Sequence, residues 1–199
     1  MSAPRKFTGG TLVLATHNKG KVEEFRVMLG NRITKLLSAA EVDLPEPEET
    51  GTTFLENATI KAVAGAKHSG LPCLADDSGL CVDALGGNPG LYSARWGGPK
   101  KDFVKAMNLV HERMGNTDNT AAAFVAVLVL AWPDGHTEHA EGRVEGDIVW
   151  PMRGEHGHGY DPIFMPKGET RTYAEMTMEE KNKYSHRGRA LEALLKKAF

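Results

Sequence analysis

Two adjacent carboxylates, Asp76 and Asp77, interrupt an apolar, strand-like stretch that reads LADDSGLCV from Leu74. A charge withdrawn from water is costly unless it is paired or coordinated. The pair therefore marks either a polar turn or a site. Asp, Ser and Gly all suit turns, and on this stretch alone a turn at Asp77, Ser78 and Gly79 between two strands is the simpler reading. The alternative is a metal or catalytic site. Hard cations such as Mg2+ take a few carboxylate oxygens and keep waters and substrate phosphates as their other ligands. Further carboxylates stand at Glu48 and Glu49, in a loop ahead of a helix.

Other residues could complete such chemistry. The segment Ala15-Thr16-His17-Asn18-Lys19-Gly20-Lys21 joins a strand end to a helix start. Free backbone N–H groups and the positive end of a helix dipole meet there, a plausible cradle for phosphate. It lacks the glycine spacing and the Lys-Ser/Thr pair of a P-loop. Lys181 and Ser185-His186-Arg187 offer donors near the last helix. Read singly, each of these is as well explained by an Asn-capped helix or a solvated basic face. The pairs His136/His139 and His156/His158 lack the cysteines or helical glutamate of a zinc site. Ser78 lacks the Gly-x-Ser-x-Gly elbow of a serine hydrolase.

The elements that must position these residues can be read from periodicity and punctuation. Thr11–Ala15 is a short apolar strand. Asn18 caps a helix with Val22, Phe25, Met28 and Leu29 at helical spacing, closed by Gly30. Ile33–Leu37 forms a second strand, and Glu41–Thr53 a loop. Thr53-Phe-Leu-Glu56 is a capping box opening a helix to about His68, stopped by Gly70 and Pro72. Leu71–Val82 is strand-like, Gly86–Pro99 a glycine-rich loop, and Lys101–Met114 a helix. Pro133-Asp-Gly135 joins Thr120–Trp132 to Thr137–Trp150 in a long β-hairpin whose first arm is apolar on both faces. Gly142 and Gly146 suggest bulges or bends in the second arm. Arg153–Tyr160 is a loop rich in glycine and histidine, and two short helices follow, the last with Leu191, Leu194, Leu195 and Ala198 inward. Early β-α units followed by a hairpin imply an α/β protein with a mixed sheet.

The whole chain narrows the classes. Its 199 residues suggest one large domain or two closely packed lobes. A formal net charge of −2 argues against a protein that coats nucleic acid. The N-terminal MSAPRKFTGG has no signal-peptide core, and the longest apolar run, Ala121–Trp132, is too short to span a bilayer. A cytoplasmic protein with no membrane partner is expected. On one continuous strand Cys73 and Cys81 would lie about 26 Å apart, so reduced structural thiols are the expectation.

Taken together, the weak signals carry more. Thr16-x-Asn18-x-x-Lys21, Glu49-Thr-Gly with Phe54-x-Glu56-Asn57-Ala58 and Lys61, and Ala75-Asp-Asp-Ser-Gly-Leu80 come in an order that resembles the inosine triphosphate pyrophosphatases, in particular their bacterial dITP/XTP branch. Leu85-Gly-Gly-x-Pro-Gly90, Tyr92-Ser-Ala-Arg95, Gly159-Tyr-Asp-Pro162 and Ser185-His-Arg187 continue the match. The resemblance runs from Leu12 to the last helix and implies a single domain over residues 1–199. It implies an elongated, two-lobed, mixed-sheet α/β fold with the nucleotide in the cleft between lobes, in a homodimer. The activity it implies is Mg2+-dependent hydrolysis of dITP, ITP and XTP to the monophosphate and pyrophosphate, which cleanses the nucleotide pool.

The resemblance also assigns roles. Asp77 binds Mg2+ and accepts the proton, with Glu49 and Asp76 as the other metal-site carboxylates. Thr16, His17, Asn18, Lys19, Gly20, Lys21, Lys61 and Ser78 contact the phosphates and sugar. His158, Gly159, Tyr160, Asp161, Lys181, His186 and Arg187 form the base pocket. Two residues depart from the family pattern. His17 stands where glycine is common, which matters if that position needs positive φ or close approach. His158 stands where a larger aromatic is common and offers a purine less stacking area. The rival readings are a Maf-like pyrophosphatase of other nucleotides, which the Ser-His-Arg ending disfavours, and a nucleotide sensor without turnover. A sensor has no use for carboxylates that repel phosphate unless a metal intervenes.

Overall fold

The computed structural model describes residues 3–199; Met1 and Ser2, which open the stretch read for targeting character, lie outside it. In chain order the strands are β1 (Thr11–Leu14), β2 (Lys35–Ser38), β3 (Cys73–Val82), β4 (Ala121–Ala131), β5 (Thr137–Ile148) and β6 (Phe164–Pro166). The helices are α1 (Lys19–Leu29), α2 (Phe54–Ser69), α3 (Phe103–Met114), α4 (Met178–Asn182) and α5 (His186–Ala198). The strands form one six-stranded sheet of order β2-β1-β3-β4-β5-β6. It is mixed: β1 runs parallel to β2 and β3, whereas β5 and β6 are antiparallel.

Local chemistry explains most boundaries. The Asn18 side chain accepts from the Lys21 amide at the start of α1, and Gly30 ends that helix with φ 50°. Thr53 caps α2 by accepting from the Glu56 amide. Only half of the expected capping box forms, because the Glu56 carboxylate accepts from the amide and hydroxyl of Thr52 instead. Asp102 caps α3 in the same manner as Asn18.

The chain divides into two compact units. Among the described residues, the first comprises 3–77, 126–142 and 187–199. On one face of its strands, Leu12, Leu14, Leu74, Ala126, Leu128 and Leu130 pack with Val22, Phe25 and Leu29 of α1 and with Ala190, Leu191, Leu194 and Ala198 of α5. On the other, Val13, Cys73, Ala75, Val127, Val129 and Ala131 pack with Ala58, Ala62 and Ala66 of α2. Small residues along α2 let it lie close to the sheet, and a side chain on Gly65 would run into the Cys73 sulfur. Burying each large aliphatic side chain contributes about 1.5–3 kcal/mol.

The second unit comprises residues 78–125 and 143–186. Its core joins Leu80, Val82, Phe124 and Val144 to Ala106, Met107 and Val110 of α3, and to Ile163, Phe164, Tyr173 and Met176.

One expectation needs correction. The chain does not turn at Asp77–Gly79: β3 runs unbroken from Cys73 to Val82. A turn satisfies polar side chains with water or local backbone, but here both aspartates have cationic partners, so the strand can continue. Cys73 and Cys81 accordingly remain free thiols, and burial pushes the Cys73 thiol up to about 12. Gly146 lets β6 approach closely, since a Cβ there would strike the Met165 carbonyl and the Phe164 ring. β6 itself, with three residues, is too short to leave a periodic signal. No helix among the described residues is long and apolar enough to cross a membrane.

Candidate active site

Strand alternation answers the question set by the adjacent carboxylates. Successive side chains of a strand point to opposite faces. Asp76 shares its face with Leu74, beneath α1 and α5, and Asp77 shares its face with Cys73 and Ala75, beneath α2. Each therefore meets a different set of cations.

Asp76 is held from two sides. Its Oδ1 accepts from Lys21 Nζ of α1 at 3.1 Å, and its Oδ2 from Arg187 Nε of α5 at 3.1 Å. Arg187 Nη1 also reaches Glu24 Oε2 at 3.2 Å, and the side chains of Arg187, Glu24 and Asp76 are all nearly inaccessible to water. Burial alone would push the Asp76 carboxyl up. The cations Lys21, Arg187 and Lys61 overcome that and hold it far below the usual carboxylate range.

Asp77 has a looser environment. Lys61 Nζ of α2 lies 3.6 Å from its Oδ1 and 3.0 Å from Glu49 Oε1. The other oxygen, Asp77 Oδ2, is buried and has no hydrogen-bond partner. Burial pushes the Asp77 carboxyl up to about 6, against the pull of Lys61 and with help from Glu49 and Asp76. Burial would lower the Lys61 ammonium, but Asp77, Asp76 and Glu49 outweigh it and raise it above its ordinary value. The Glu49 loop is fixed by Asn57 of α2, whose Oδ1 accepts from the Gly51 amide at 2.8 Å. A Cβ at Gly51 would come within 2.6 Å of that same oxygen, which explains the glycine.

A buried, unpartnered carboxylate oxygen beside a second carboxylate is what a hard divalent cation requires. Asp77 and Glu49 thus fit Mg2+. The oxygens of Asp76 already accept from Lys21 and Arg187.

The segment ahead of α1 is ordered by its own side chains: the Asn18 amide donates to Thr16 Oγ1 at 3.1 Å. His17 adopts no positive φ, since Asp43 and Lys101 are the only non-glycine residues that do among those described. Its Nε2 lies 2.9 Å from the Leu44 carbonyl oxygen. Backbone conformation therefore does not demand a glycine there, and the histidine ties this segment to the chain beyond β2. Lys19 is exposed and Gly20 half-buried at the start of α1.

The remaining expected residues belong to the second unit. Lys181 Nζ donates to Asp161 Oδ2 at 2.7 Å, with both side chains buried, and lies over the Tyr173 ring. Asp161 Oδ2 also accepts from the His158 amide at 3.0 Å, so one carboxylate shapes the loop 158–161. Gly159 has φ +65°, and its Cα side faces the Phe103 ring. The Tyr160 ring packs edge-on against Phe103, and its hydroxyl donates to the Ser93 carbonyl oxygen. His186 is buried, its ring stacked on Phe124 with centroids 4.6 Å apart. Ser78, next after Asp77 on β3, is half-buried.

Three residues that matter to this geometry are not evident in the sequence as site residues. Glu24 reads as one more helix acid beside the exposed Glu23, yet it is buried against Arg187. Asn57 falls within a motif but shows its task only through the Gly51 contact. Ser93 Oγ accepts from the Leu80 amide at 3.0 Å and donates to the Gly90 carbonyl, binding the glycine-rich loop to β3 just beyond Ser78 and Gly79.

The mixed six-stranded sheet with these helices is shared with solved structures. The Staphylococcus aureus Ham1 protein superposes with a TM-score of 0.82 at 37% identity, covering 94% of this chain and 96% of that one. A nucleoside-triphosphatase / dITP/XTP pyrophosphatase from Mycobacterium abscessus gives 0.73 at 44% identity, covering 93% and 98%. Among curated proteins, a dITP/XTP pyrophosphatase of Gluconobacter oxydans is 59% identical over 187 residues, 94% of this chain and 90% of the relative. One from Rhodospirillum centenum is 53% identical over the full length of both. The Ham1 family model matches residues 12–197. The chain belongs to the Ham1 family.

Proposed function

We propose that this protein hydrolyses deaminated purine nucleoside triphosphates, namely dITP, ITP and XTP, to the monophosphate and pyrophosphate. Relatives so similar over nearly the whole chain bear the name dITP/XTP pyrophosphatase, which supports the substrate class. The observation that carries the chemistry is Asp77: a buried carboxylate with one oxygen lacking a partner, flanked by Glu49 and Lys61.

Asp77 and Glu49 would hold Mg2+, while Asp76 serves as the fixed counter-ion of Lys21 and Arg187. The chemistry Mg2+ supplies there is neutralisation of charge spread over the phosphates. Water attacks the α-phosphorus, and the bond from that phosphorus to the bridging oxygen breaks, releasing pyrophosphate. Asp77 takes the proton of the attacking water as general base. Lys21 and Lys61, with the N-terminus of α1 and residues 16–20, hold the phosphates, and Ser78 the sugar. His158–Asp161, Lys181, His186 and Arg187 recognise the base. The enzyme works in the cytoplasm as a homodimer, following the family resemblance.

Phosphorus NMR of the products from a panel of triphosphates tests this reading. With Mg2+, ITP, dITP and XTP should give the monophosphate and intact pyrophosphate, with slow turnover of ATP. Orthophosphate as the first product, or full activity in EDTA, would overturn it.

A further inference from the structure

Lys61 occupies an unusual position. Its side chain rises from α2, one turn beyond Asn57, and is largely buried between two carboxylates that converge from different elements. Glu49 comes from the loop fixed by Asn57, and Asp77 from β3. The ammonium bridges the same pair of groups that a divalent cation would need. Asp76 offers Lys61 no alternative seat, because Lys21 and Arg187 hold its oxygens.

Mg2+ sits about 2.0–2.1 Å from its oxygen ligands. An ammonium kept in hydrogen-bond contact with those oxygens would lie only a few ångströms from the ion, in surroundings that screen charge poorly. The two cations therefore exclude one another. The cluster of Glu24, Glu49, Asp76 and Asp77 with Lys21, Lys61 and Arg187 carries one net negative charge. Adding a divalent cation makes it positive, and the phosphates of a substrate then offer Lys61 a new anionic partner. A lysine can make that move, being a compact charge on a flexible four-carbon stem.

We propose that Lys61 is an exchangeable counter-ion: it neutralises Glu49 and Asp77 in the metal-free protein and gives them up to the divalent ion as it swings to the substrate phosphates. This rests on the assignment of Asp77 and Glu49 to the metal. It makes metal and triphosphate binding mutually reinforcing, since each removes an obstacle to the other, and the coupling must be reciprocal. The protein alone would bind divalent ions weakly.

Mn2+ titrated into chelator-treated protein, with free Mn2+ read by electron paramagnetic resonance at pH 8, tests the idea apart from turnover. Wild type should bind Mn2+ weakly alone and, once the Mn2+ bound by the analogue itself is subtracted, at least about tenfold more tightly with α,β-methylene-ITP, which cannot be cleaved at the α–β bridge. Lys61→Met should bind Mn2+ at least about tenfold more tightly than wild type without nucleotide, and gain little more from the analogue. Lys61→Arg, which keeps the charge, should stay weak. Lys61→Gln takes the place of Lys61→Met if the latter fails to fold, as judged by circular dichroism. Equal or weaker Mn2+ binding by a folded, uncharged variant overturns the proposal. With the analogue present, and the Mn2+ that the analogue binds by itself subtracted, Mn2+ binding by Asp77→Asn equal to wild type overturns the metal assignment itself and the proposal with it.

Discussion

Arg187 and Glu24 are separated by 163 positions in the chain, yet their side chains meet at 3.2 Å, almost wholly shielded from water. Arg187 also holds Asp76, so one guanidinium joins α5 to α1 and to β3. Removing one partner of a buried ion pair leaves the other charge uncompensated, a loss of about 3–5 kcal/mol. Arg187→Ala should therefore lower the urea midpoint strongly. A variant as stable as wild type would show that the pair contributes nothing to the fold.

Asp77→Asn should behave in the opposite sense for stability and for activity. The substitution removes the proposed base and a metal charge while keeping size, so kcat should fall by about 10²-fold or more. The fold should survive, because the strand is held on either side of the residue. Near-normal turnover by the folded variant would dismiss Asp77 as the base.

The same substitution should stabilise the metal-free protein above pH 6. The native pKa of Asp77, about 6, lies above its ordinary 3.8, so the ionised form is disfavoured in the folded state. That penalty is fully present above the native value and disappears as pH falls toward the unfolded one. Two units correspond to at most about 3 kcal/mol. Melting temperatures of Asp77→Asn should exceed those of wild type at pH 8 and converge with them near pH 4. A constant difference across that range would show that Asp77 does not carry the shift.

Gly79→Ala tests how β3 meets the glycine-rich loop. An added Cβ would collide with the Gly90 carbonyl oxygen and approach Ser93 Oγ within 2.8 Å. Neither can retreat without breaking the Ser93 contacts to Leu80 and Gly90. Forced repacking of this kind costs about 1–3 kcal/mol, measurable by urea titration. An unchanged midpoint would mean that the loop yields freely.

What the sequence made legible was local. Asn18, Gly30, Thr53 and Gly70 punctuate the helices through contacts within a few residues, and the hairpin follows from Pro133-Asp-Gly135 and the apolar arm before it. At Asp76 and Asp77 the local sequence is ambiguous, because turn chemistry and a paired strand site use the same residues. Only the cations from α1, α2 and α5 distinguish the two, and those lie far away in sequence. Glu24 was hidden for the same reason: helical spacing does not show which acid faces an arginine on another helix. His17 was marked as a departure, but its tolerance depends on a φ value and a Leu44 carbonyl that no motif records.

Selectivity for the base should depend on Lys181. Hypoxanthine and xanthine carry an acceptor oxygen at position 6, where adenine carries an amino donor. A lysine offers only donors, so it pairs with the first and opposes the second. Lys181 Nζ is buried and fixed by Asp161, with Tyr173 beneath it, an orientation that does not yield easily to the wrong base. Arg187 shares the donor chemistry, but its Nε and Nη1 already hold Asp76 and Glu24, so its removal would mix stability with recognition. Lys181 is the cleaner probe. Sites built around such a hydrogen bond can reject a mismatched analogue by about 10⁴-fold. Lys181→Met should lower kcat/KM for ITP far more than for ATP and narrow the ratio between them by about tenfold or more. Guanine also bears the oxygen, so the GTP rate should fall in parallel with that of ITP. Measuring kcat/KM for the three nucleotides on folded wild type and variant decides the matter: an unchanged ITP-to-ATP ratio would remove Lys181 from base selection and leave it as the counter-ion of Asp161.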